Sequence, residues 1–501
     1  MKRLLAVLGI ICLLAGCAPE GPYVPTGGNL YNGTDTPTQP QVESTAEVSL
    51  AYNKNGSFQP FTSTDTLNRT LLPLIYQGLF ATDYQYQTTP ILCKSYQVSE
   101  DMRTWTFYLE EATFSDGQPL TAYDVVASLR TAKSGGYYAG RLLHVKTIEA
   151  VSGAVVITTD TDMSNLPLLL DIPIVKDSQV EATNPLGTGP YILENTDDGK
   201  QLRRQPAWWC NAPVPVTAQT IALLHGTTQG ELWDLYKFSN MSMVSTDAYI
   251  DFPGDYELWE SETGYFMYIT CNMNSKVFSN ESIRSALTYA IDRDSLVSSH
   301  FQELARSTSL PCSPSFPYYS PSLAAKYSYR PEKFAQAVAD AQLTDNSIEL
   351  LVNQEDPVRL RVAQDIAKTL TDCGLSVTIL NVSGQDYINT LKWENYDLFL
   401  GQTKLSPNMD LTAFFAEGGS LNYGAITDVA AYAMCLKALE NSGNYQSLHK
   451  LVMEDGRLCP ILVRSYAVYG RRGVFTGLSP TRDNIFYYSL GKTMESAKIT
   501  E

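Results

Sequence analysis

The chain has 501 residues, of which 44% are hydrophobic and 18% are charged, and its formal net charge is -17. This composition is typical of a folded protein, and the length exceeds the ~250 to 300 residues at which single cores stop growing, so we expect two or three lobes. The acidity argues against a nucleic-acid-binding protein and against a polybasic contact with membranes.

The N-terminal residues have the pattern of an export signal. Lys2 and Arg3 precede an apolar run over residues 4–14 that is too short to span a bilayer stably. The tetrapeptide Leu14-Ala15-Gly16-Cys17 resembles the lipobox of bacterial lipoprotein precursors, which implies cleavage before Cys17 and lipidation of its sulfur. We therefore predict a signal peptide over 1–16, and a lipidated cysteine with a flexible tether rich in Gly, Pro and Thr over 17–45. An ordinary secretory signal with an incidental cysteine is the alternative.

Periodicity places the first elements of the fold. Alternating apolar residues predict short strands over 48–52, 104–109 and 154–159. A helical pattern begins at Leu67, and a second helix is predicted after Thr121, which caps it with Asp124 in the first turn.

Residues 184–191 hold two glycines and two prolines and predict a tight loop. It is not a phosphate loop, because it contains no Gly-Lys-Ser/Thr and Pro190 removes a backbone donor.

The middle of the chain, residues 263–297, predicts a strand that leads into a helix. The strand is rich in β-branched and aromatic residues, and the helix has an apolar stripe from Ile283 to Ile291 with Asn280 or Ser279 as its N-cap. This stretch is a natural crossing point between two halves.

Four stretches together resemble a known family. They are the strand 105–109, residues 114–125 with Phe-Ser-Asp-Gly and Pro-Leu-Thr-Ala, the loop 184–191, and residues 284–293 with Ala-Ile-Asp-Arg at the end. In this order they are similar to the signatures of the family 5 extracellular solute-binding proteins, the peptide, nickel and opine receptors of ABC importers. The resemblance continues to Leu400 and covers essentially everything after the tether.

The resemblance implies an α/β fold, a two-lobed clamshell like that of periplasmic binding proteins, with mixed sheets and ligand in the cleft. Lobe I would comprise residues 46–60, 180–264 and 465–501, with an inserted subdomain over 61–179. Lobe II would comprise residues 265–464, and the chain would cross between the lobes twice.

The resemblance also suggests ligand contacts. Tyr387 matches an aromatic residue that packs on ligand in peptide-binding members, and Tyr265, Tyr268 and Asn272 lie on the predicted crossing strand. Tyr423 is a further aromatic candidate for the wall of the ligand site. For each of them, burial in a lobe or in the lobe interface is the alternative.

The loop over residues 401–411 departs from the family pattern. Peptide binders usually carry there a tryptophan and an aspartate that pairs with the peptide ammonium, and both are missing here. Thr403 and Asp410 are the candidates left in this loop, although Asp410 is also placed to cap a following helix. Losing the charge-assisted contact would weaken binding of a peptide ammonium by roughly 1.5 to 3 kcal/mol.

These residues predict a receptor and not an enzyme. Gly-x-Ser-x-Gly and His-Glu-x-x-His are absent, the four histidines are isolated in sequence, and the cysteines lack zinc-ligand spacing, so we expect no catalytic residue, metal or cofactor. Seven cysteines remain besides Cys12 and Cys17, and most are expected to be small buried hydrophobes.

The prediction is a monomeric, extracytoplasmic, lipid-anchored receptor for short peptides that partners with an ABC permease and ATPase. A receptor for a metal chelate or oligosaccharide, and a surface sensor or adhesion protein without importer, are the alternatives.

Overall fold

Two long antiparallel strands, Tyr256–Cys271 and Leu458–Arg471, run through the centre of the fold. The computed structural model describes residues 48–475, with gaps at 198, 211–215, 217 and 247–255, and residues 478–487. The predicted signal peptide, Cys17 and the tether lie outside the described residues.

In chain order the strands are β1 (Val48–Tyr52), β2 (Phe80–Thr82), β3 (Thr88–Pro90), β4 (Cys93–Val98), β5 (Thr104–Leu109), β6 (Val145–Val151), β7 (Ala154–Thr159), β8 (Tyr191–Thr196), β9 (Gly199–Arg204), β10 (Thr220–His225), β11 (Met243–Thr246), β12 (Tyr256–Cys271), β13 (Ala305–Ser307), β14 (Ser347–Asn353), β15 (Ser376–Val382), β16 (Leu398–Lys404) and β17 (Leu458–Arg471).

The helices are α1 (Thr66–Ile75), α2 (Ala122–Ser134), α3 (Gln229–Phe238), α4 (Glu281–Ala286), α5 (Arg293–Phe301), α6 (Pro321–Ala324), α7 (Pro331–Asp340), α8 (Pro357–Asp372), α9 (Gly384–Trp393), α10 (Thr412–Phe415), α11 (Val429–Glu440) and α12 (Tyr445–Asp455). Short 3-10 helices cover Gly136–Leu142, Leu166–Leu169, Asp177–Gln179, Leu287–Ala290, Ala325–Tyr327 and Ser442–Asn444. No helix among the described residues is long and apolar enough to cross a bilayer.

The mixed sheets of the predicted α/β clamshell are present. One sheet has the order β15-β14-β16-β12-β17-β11-β1-β10-β9-β8, with β13 also paired to β17. β12 and β17 therefore join a parallel group, β14 to β16, to the group of β1 and β8 to β11. A separate antiparallel sheet, β4-β5-β7-β6, lies wholly within residues 61–179, the stretch predicted as an inserted subdomain.

The pairing of β12 with β17 changes register where the two groups meet. Glu262 pairs with Ser465, but the next pair is Phe266 with Val463, so three residues oppose one. Gly264 lies in this bulge with φ +74°, a conformation that glycine adopts without the steric penalty of a Cβ. A bulge at the crossing gives the two strands a local bend between the halves.

Local capping explains one of the recognised motifs. Asp124 accepts hydrogen bonds from the Thr121 N–H at 2.8 Å and, through its other oxygen, from the Asp177 N–H at 2.9 Å. The carboxylate thus starts α2 as predicted and also fixes a distant segment.

An α-helix was predicted along the apolar stripe from Ile283 to Ile291, but the observed α-helix ends before the stripe does. Asn280 caps α4 as expected, but α4 ends at Ala286 and a 3-10 helix follows. The buried guanidinium of Arg293 donates to the carbonyl oxygens of Thr288 at 3.0 Å and Ile291 at 3.3 Å. These carbonyl oxygens accept hydrogen bonds from Arg293, and the chain continues as the tighter 3-10 helix Leu287–Ala290 and not as an α-helix.

Candidate functional site

A cavity of about 220 Å³ lies beside β12 where the strands cross. Its walls are α1 with the residues that follow it, the 3-10 helix Gly136–Leu142, Lys404 at the end of β16, and residues 481–487. Ser261, Thr263 and Tyr265 alternate along β12 and so face the cavity from one side of the strand. This volume is many times the ~10 to 15 Å³ that one water needs, so the cavity has room for a small solute.

Asp483 forms ion pairs with three cationic side chains at this cavity. Its carboxylate contacts Lys404 Nζ at 2.6 Å, Arg482 Nε at 3.3 Å and the guanidinium of Arg141, and accepts a hydrogen bond from the Tyr137 hydroxyl at 3.0 Å. Burial alone would raise the pKa of Asp483, but the charges of Arg141, Lys404 and Arg482 hold it well below its usual range. We call Asp483, Arg141, Lys404, Arg482 and Tyr137 the Asp483 cluster.

Asp171 and Arg69 are the other charged side chains that line the cavity beside the Asp483 cluster. Asp171 pairs with Arg141, and burial raises the pKa of Asp171 although Arg141 opposes the shift. The guanidinium carbon of Arg69 lies 3.3 Å from the centre of the Tyr137 ring, and its nitrogens donate to the Pro60 carbonyl at 2.9 Å and the Tyr138 hydroxyl at 3.1 Å. This stacking over an aromatic face stabilises the Arg69 charge and orients the Tyr137 ring.

Lys404 is the cation that β16 supplies. Its pKa is lowered to about 8, first by burial and then by the neighbouring charges of Arg482 and Arg141, while Asp483 opposes the shift. The ammonium therefore remains protonated at neutral pH, in surroundings where positive charge already dominates.

Three side-chain polar atoms of cavity-lining residues are buried without a hydrogen-bond partner among the described residues. They are Nη1 of Arg482, whose side chain is 5% exposed, Oγ of Ser245 and Oγ1 of Thr82. Buried polar atoms of folded proteins are normally paired, so these three are unsatisfied at the cavity wall.

The predicted contacts fall in different places. Tyr265 lines the cavity, and the centre of its ring lies 5.5 Å from Lys404 Nζ. Thr403 pairs with Phe266 and, one residue before Lys404 on β16, faces the other side of the strand. Tyr268 is three residues from Tyr265, which puts its side chain on the opposite face of β12, where it is 1% exposed.

Three of the aromatic residues predicted to contact ligand pack around Phe399 in the segment predicted as lobe II. The ring of Phe399 lies 6.2 Å from that of Tyr268, 6.3 Å from that of Tyr387 and 5.4 Å from that of Tyr423. Burial raises the pKa of Tyr387 and of Tyr423. These aromatic residues form one packed group and do not line the cavity.

Asn272, at the end of β12, is also away from the cavity. Its amide nitrogen donates to the carbonyl oxygens of Glu394 at 2.8 Å and Tyr396 at 2.7 Å, and the residue is 3% exposed. These two hydrogen bonds connect the end of β12 to the loop that precedes β16.

Asp410 lies in a contact between the segments predicted as the inserted subdomain and as lobe II. One oxygen accepts from the Thr412 N–H at 2.8 Å, at the start of α10, and the other lies 3.2 Å from His144 Nε2. His144 also contacts Asp160 through Nδ1 at 3.0 Å. Asp410 is not the N-cap of α10, which is Leu411, but one residue earlier it holds the start of the helix through the Thr412 N–H. The same carboxylate joins two parts of the fold.

This contact predicts a pH dependence. Burial opposes protonation of His144, but Asp410 and Asp160 outweigh it, so the pKa of His144 is raised above 6.5. A raised folded-state pKa contributes stability that is complete below about pH 6.5 and is lost as pH rises through the folded value. His144→Gln is therefore expected to lower the melting temperature more at about pH 5.5 than at about pH 8.5.

The control for this prediction is the Asp410→Asn background, in which the pH dependence of the His144→Gln effect should shrink. An equal loss of melting temperature at both pH values in the wild-type background would contradict the contact.

Several cavity residues were not identified from sequence. Arg69, Tyr137, Arg482 and Asp483 carry no recognisable motif. Lys404 was the accessible signal, because it is a cation in the loop over residues 401–411, from which the aspartate expected in peptide binders is missing.

A buried thiol and imidazole offer no catalytic pair. Cys312 Sγ lies 3.9 Å from His449 Nδ1, but burial raises the pKa of the thiol well above its usual value and lowers the pKa of His449 to about 3. Both groups are therefore neutral, and a nucleophilic cysteine requires the thiolate. The seven described cysteines are all buried, where most were predicted to be, and all are free. No group of three or more metal-ligating side chains occurs among the described residues.

Comparison with known proteins agrees with this architecture. Residues 87–422 match the family described as bacterial extracellular solute-binding proteins, family 5 Middle. A glutathione-binding protein of Salmonella typhi is 27% identical over 367 residues, which are 66% of this chain and 69% of the relative.

Two solved structures share the fold. The oligopeptide-binding protein of Bacillus subtilis in complex with a nonapeptide superimposes with a TM-score of 0.65 at 19% identity, covering 89% of this chain and 99% of the other. NikZ from Campylobacter jejuni in complex with Ni(L-His) superimposes with a TM-score of 0.66 at 16% identity, covering 87% and 96%.

Proposed function

Because this chain belongs to the family 5 bacterial extracellular solute-binding proteins, we propose that it is the lipid-anchored binding component of an ABC importer and captures short peptides. The observation that carries the proposal is the cavity of about 220 Å³ at the strand crossing, which residues from both sides of the crossing line. A binding site at the junction of two lobes is typical of proteins that enclose a solute.

The size of the cavity supports a small ligand. A cavity of about 220 Å³ has room for a small solute such as a dipeptide or tripeptide. The glutathione-binding relative supports a peptide of this length.

The bulge at Gly264 supports a hinge mechanism. The β12–β17 pairing is interrupted there, and the segments on either side pair with different strands. A ligand that contacts both lobes favours the closed form by its difference in affinity for the closed and open states. The closed form is then the species that the permease and ATPase recognise.

A non-peptide solute, such as a metal chelate, is the second candidate. The observation that favours it is the loop over residues 401–411, which carries Lys404 and lacks the aspartate expected in peptide binders. The nickel–histidine complex of the Campylobacter jejuni protein supports the same candidate.

The tests are a native mass spectrum of the purified protein, which retains co-purified solutes, and a thermal-shift screen of di- and tripeptides beside metal–histidine complexes. A ligand at 100-fold its Kd is expected to stabilise the protein by about 2.7 kcal/mol. Saturable stabilisation without chemical change of the ligand supports the receptor. Turnover of a peptide without saturable stabilisation would overturn it, and stabilisation by metal–histidine complexes alone would select the second candidate.

A further inference from the structure

The cavity has an excess of positive charge although the protein is acidic. Three cationic side chains line it, Arg69, Lys404 and Arg482, together with two carboxylates, Asp171 and Asp483. Arg141 does not line the cavity but pairs with both carboxylates. Glu262 on β12 faces the other side of the strand, where its oxygens accept hydrogen bonds from the Tyr86 and Ser313 hydroxyls, each at 2.7 Å. The lining thus retains one positive charge, and Arg141 behind the two carboxylates adds another, in a chain with a formal charge of -17.

An ion network that served stability alone would tend to balance its charges, because a buried charge without a partner is strongly unfavourable. The imbalance here is accompanied by unused donors. Arg482 Nη1 has no hydrogen-bond partner among the described residues, and its side chain is 5% exposed. Lys404 Nζ donates to Asp483 and to the Tyr137 hydroxyl, which uses two of its three N–H groups.

The two side chains with unused donors are close to each other. Lys404 and Arg482 both contact Asp483, and Arg482 also donates to the carbonyl oxygen of Leu405, the residue after Lys404. A carboxylate between them would accept a hydrogen bond from each and would neutralise part of the excess charge.

We propose that the cavity recognises its ligand by a carboxylate, held between Lys404 and Arg482, so that a peptide is anchored by its C-terminus and not by its ammonium. This inference rests on the proposed function and specifies the ligand class of the same site. Lys404 adds a positive charge to the loop over residues 401–411, and the carboxylate of that loop, Asp410, is already engaged by the Thr412 N–H and by His144. An unpaired ammonium beside Lys404 would therefore be repelled. A negatively charged ligand fits the site better than a neutral or a positive one.

The experiment compares three end-group forms of one tripeptide library with randomised side chains. The forms are the free peptide, the N-acetylated peptide, which lacks the positive ammonium, and the C-terminal amide, which lacks the carboxylate. Binding to the full-length purified protein is measured by native mass spectrometry in direct competition. We expect the acetylated form to bind at least as tightly as the free peptide and the amide to bind at least tenfold more weakly.

Variants assign the effect to the residues. Lys404→Gln and Arg482→Gln should each reduce the discrimination between acid and amide, and Lys404→Arg should restore most of it because it keeps the charge. Lys276→Gln, at a side chain that is 83% exposed and does not line the cavity, is the control and should keep the wild-type preference. A thermal melt of each variant verifies that it is folded.

The outcomes separate the two proposals. If the amide binds as well as the acid, the carboxylate anchor is wrong while peptide binding stands. If Lys404→Gln and Arg482→Gln are both folded and both keep the full discrimination, the assignment to these residues is wrong. If no form binds, the proposed peptide receptor is overturned and the carboxylate anchor with it.

Discussion

Asp483→Asn is expected to lower the free energy of unfolding by about 3 to 5 kcal/mol, because breaking a buried ion pair leaves its partners uncompensated. The substitution would leave Arg141, Lys404 and Arg482 around a neutral amide, with the Asp483 site only 11% exposed in the wild type. Part of the loss is expected to be relieved by deprotonation of Lys404, whose pKa is already lowered to about 8. Urea unfolding at pH 7, followed by tryptophan fluorescence, measures the change.

The matched control is Asp162→Asn, which removes the partner of Arg103. That pair is at the surface, with side chains 33% and 50% exposed, so its loss should leave the unfolding midpoint unchanged. Equal midpoints for Asp483→Asn and the wild type would show that the Asp483 cluster does not hold the fold together.

Gly187→Ala is expected to destabilise the protein by about 2 to 4 kcal/mol, because the added methyl group has no space. A Cβ at this position would lie 2.6 Å from the Tyr76 ring and 3.0 Å from the Ile75 carbonyl carbon, and closer still to the Ile75 carbonyl oxygen. Backbone at the end of α1 cannot rotate away as a flexible side chain can. The Gly189 N–H, two residues away, donates to the same Ile75 oxygen at 2.9 Å. This hydrogen bond would have to break for the loop to move away from the added methyl group.

Gly140→Ala provides the comparison. A Cβ there meets nothing within 4 Å, so the same substitution should change the melting temperature little. If the two alanine variants melted together, close packing of the 184–191 loop on α1 would not be the reason for its glycines.

Elements fixed by neighbouring residues could be predicted from sequence. The strand Thr104–Leu109 and the start of α2 at Thr121 follow from alternation and from a cap three residues away. The family motifs also have local structural reasons: Ser115 N–H donates to the Gly187 carbonyl at 3.0 Å, so two of the recognised stretches touch.

The charged cavity could not be predicted in the same way. Arg141 and Asp483 are 342 positions apart in sequence, and Lys404 and Asp483 are 79 apart, so only the folded chain brings them together. Sequence periodicity also does not decide which face of a crossing strand meets the cleft. Tyr265 and Tyr268 were both candidates, and an odd spacing puts them on opposite faces.

The aromatic candidates show a further difficulty. Tyr387 and Tyr423 are of the residue type expected in the wall of a ligand site, but the same side chains also pack well against Phe399. An aromatic side chain suits a binding surface and a core for the same reason, its large apolar area, so residue type alone does not separate the two.

Small-angle X-ray scattering, with and without the ligand found in the thermal-shift screen, tests solute capture between the lobes most directly. At saturation the radius of gyration of the wild-type protein should decrease, because the ligand favours the closed form. A ligand that binds saturably and leaves the scattering curve unchanged would contradict capture by closure about the β12–β17 crossing.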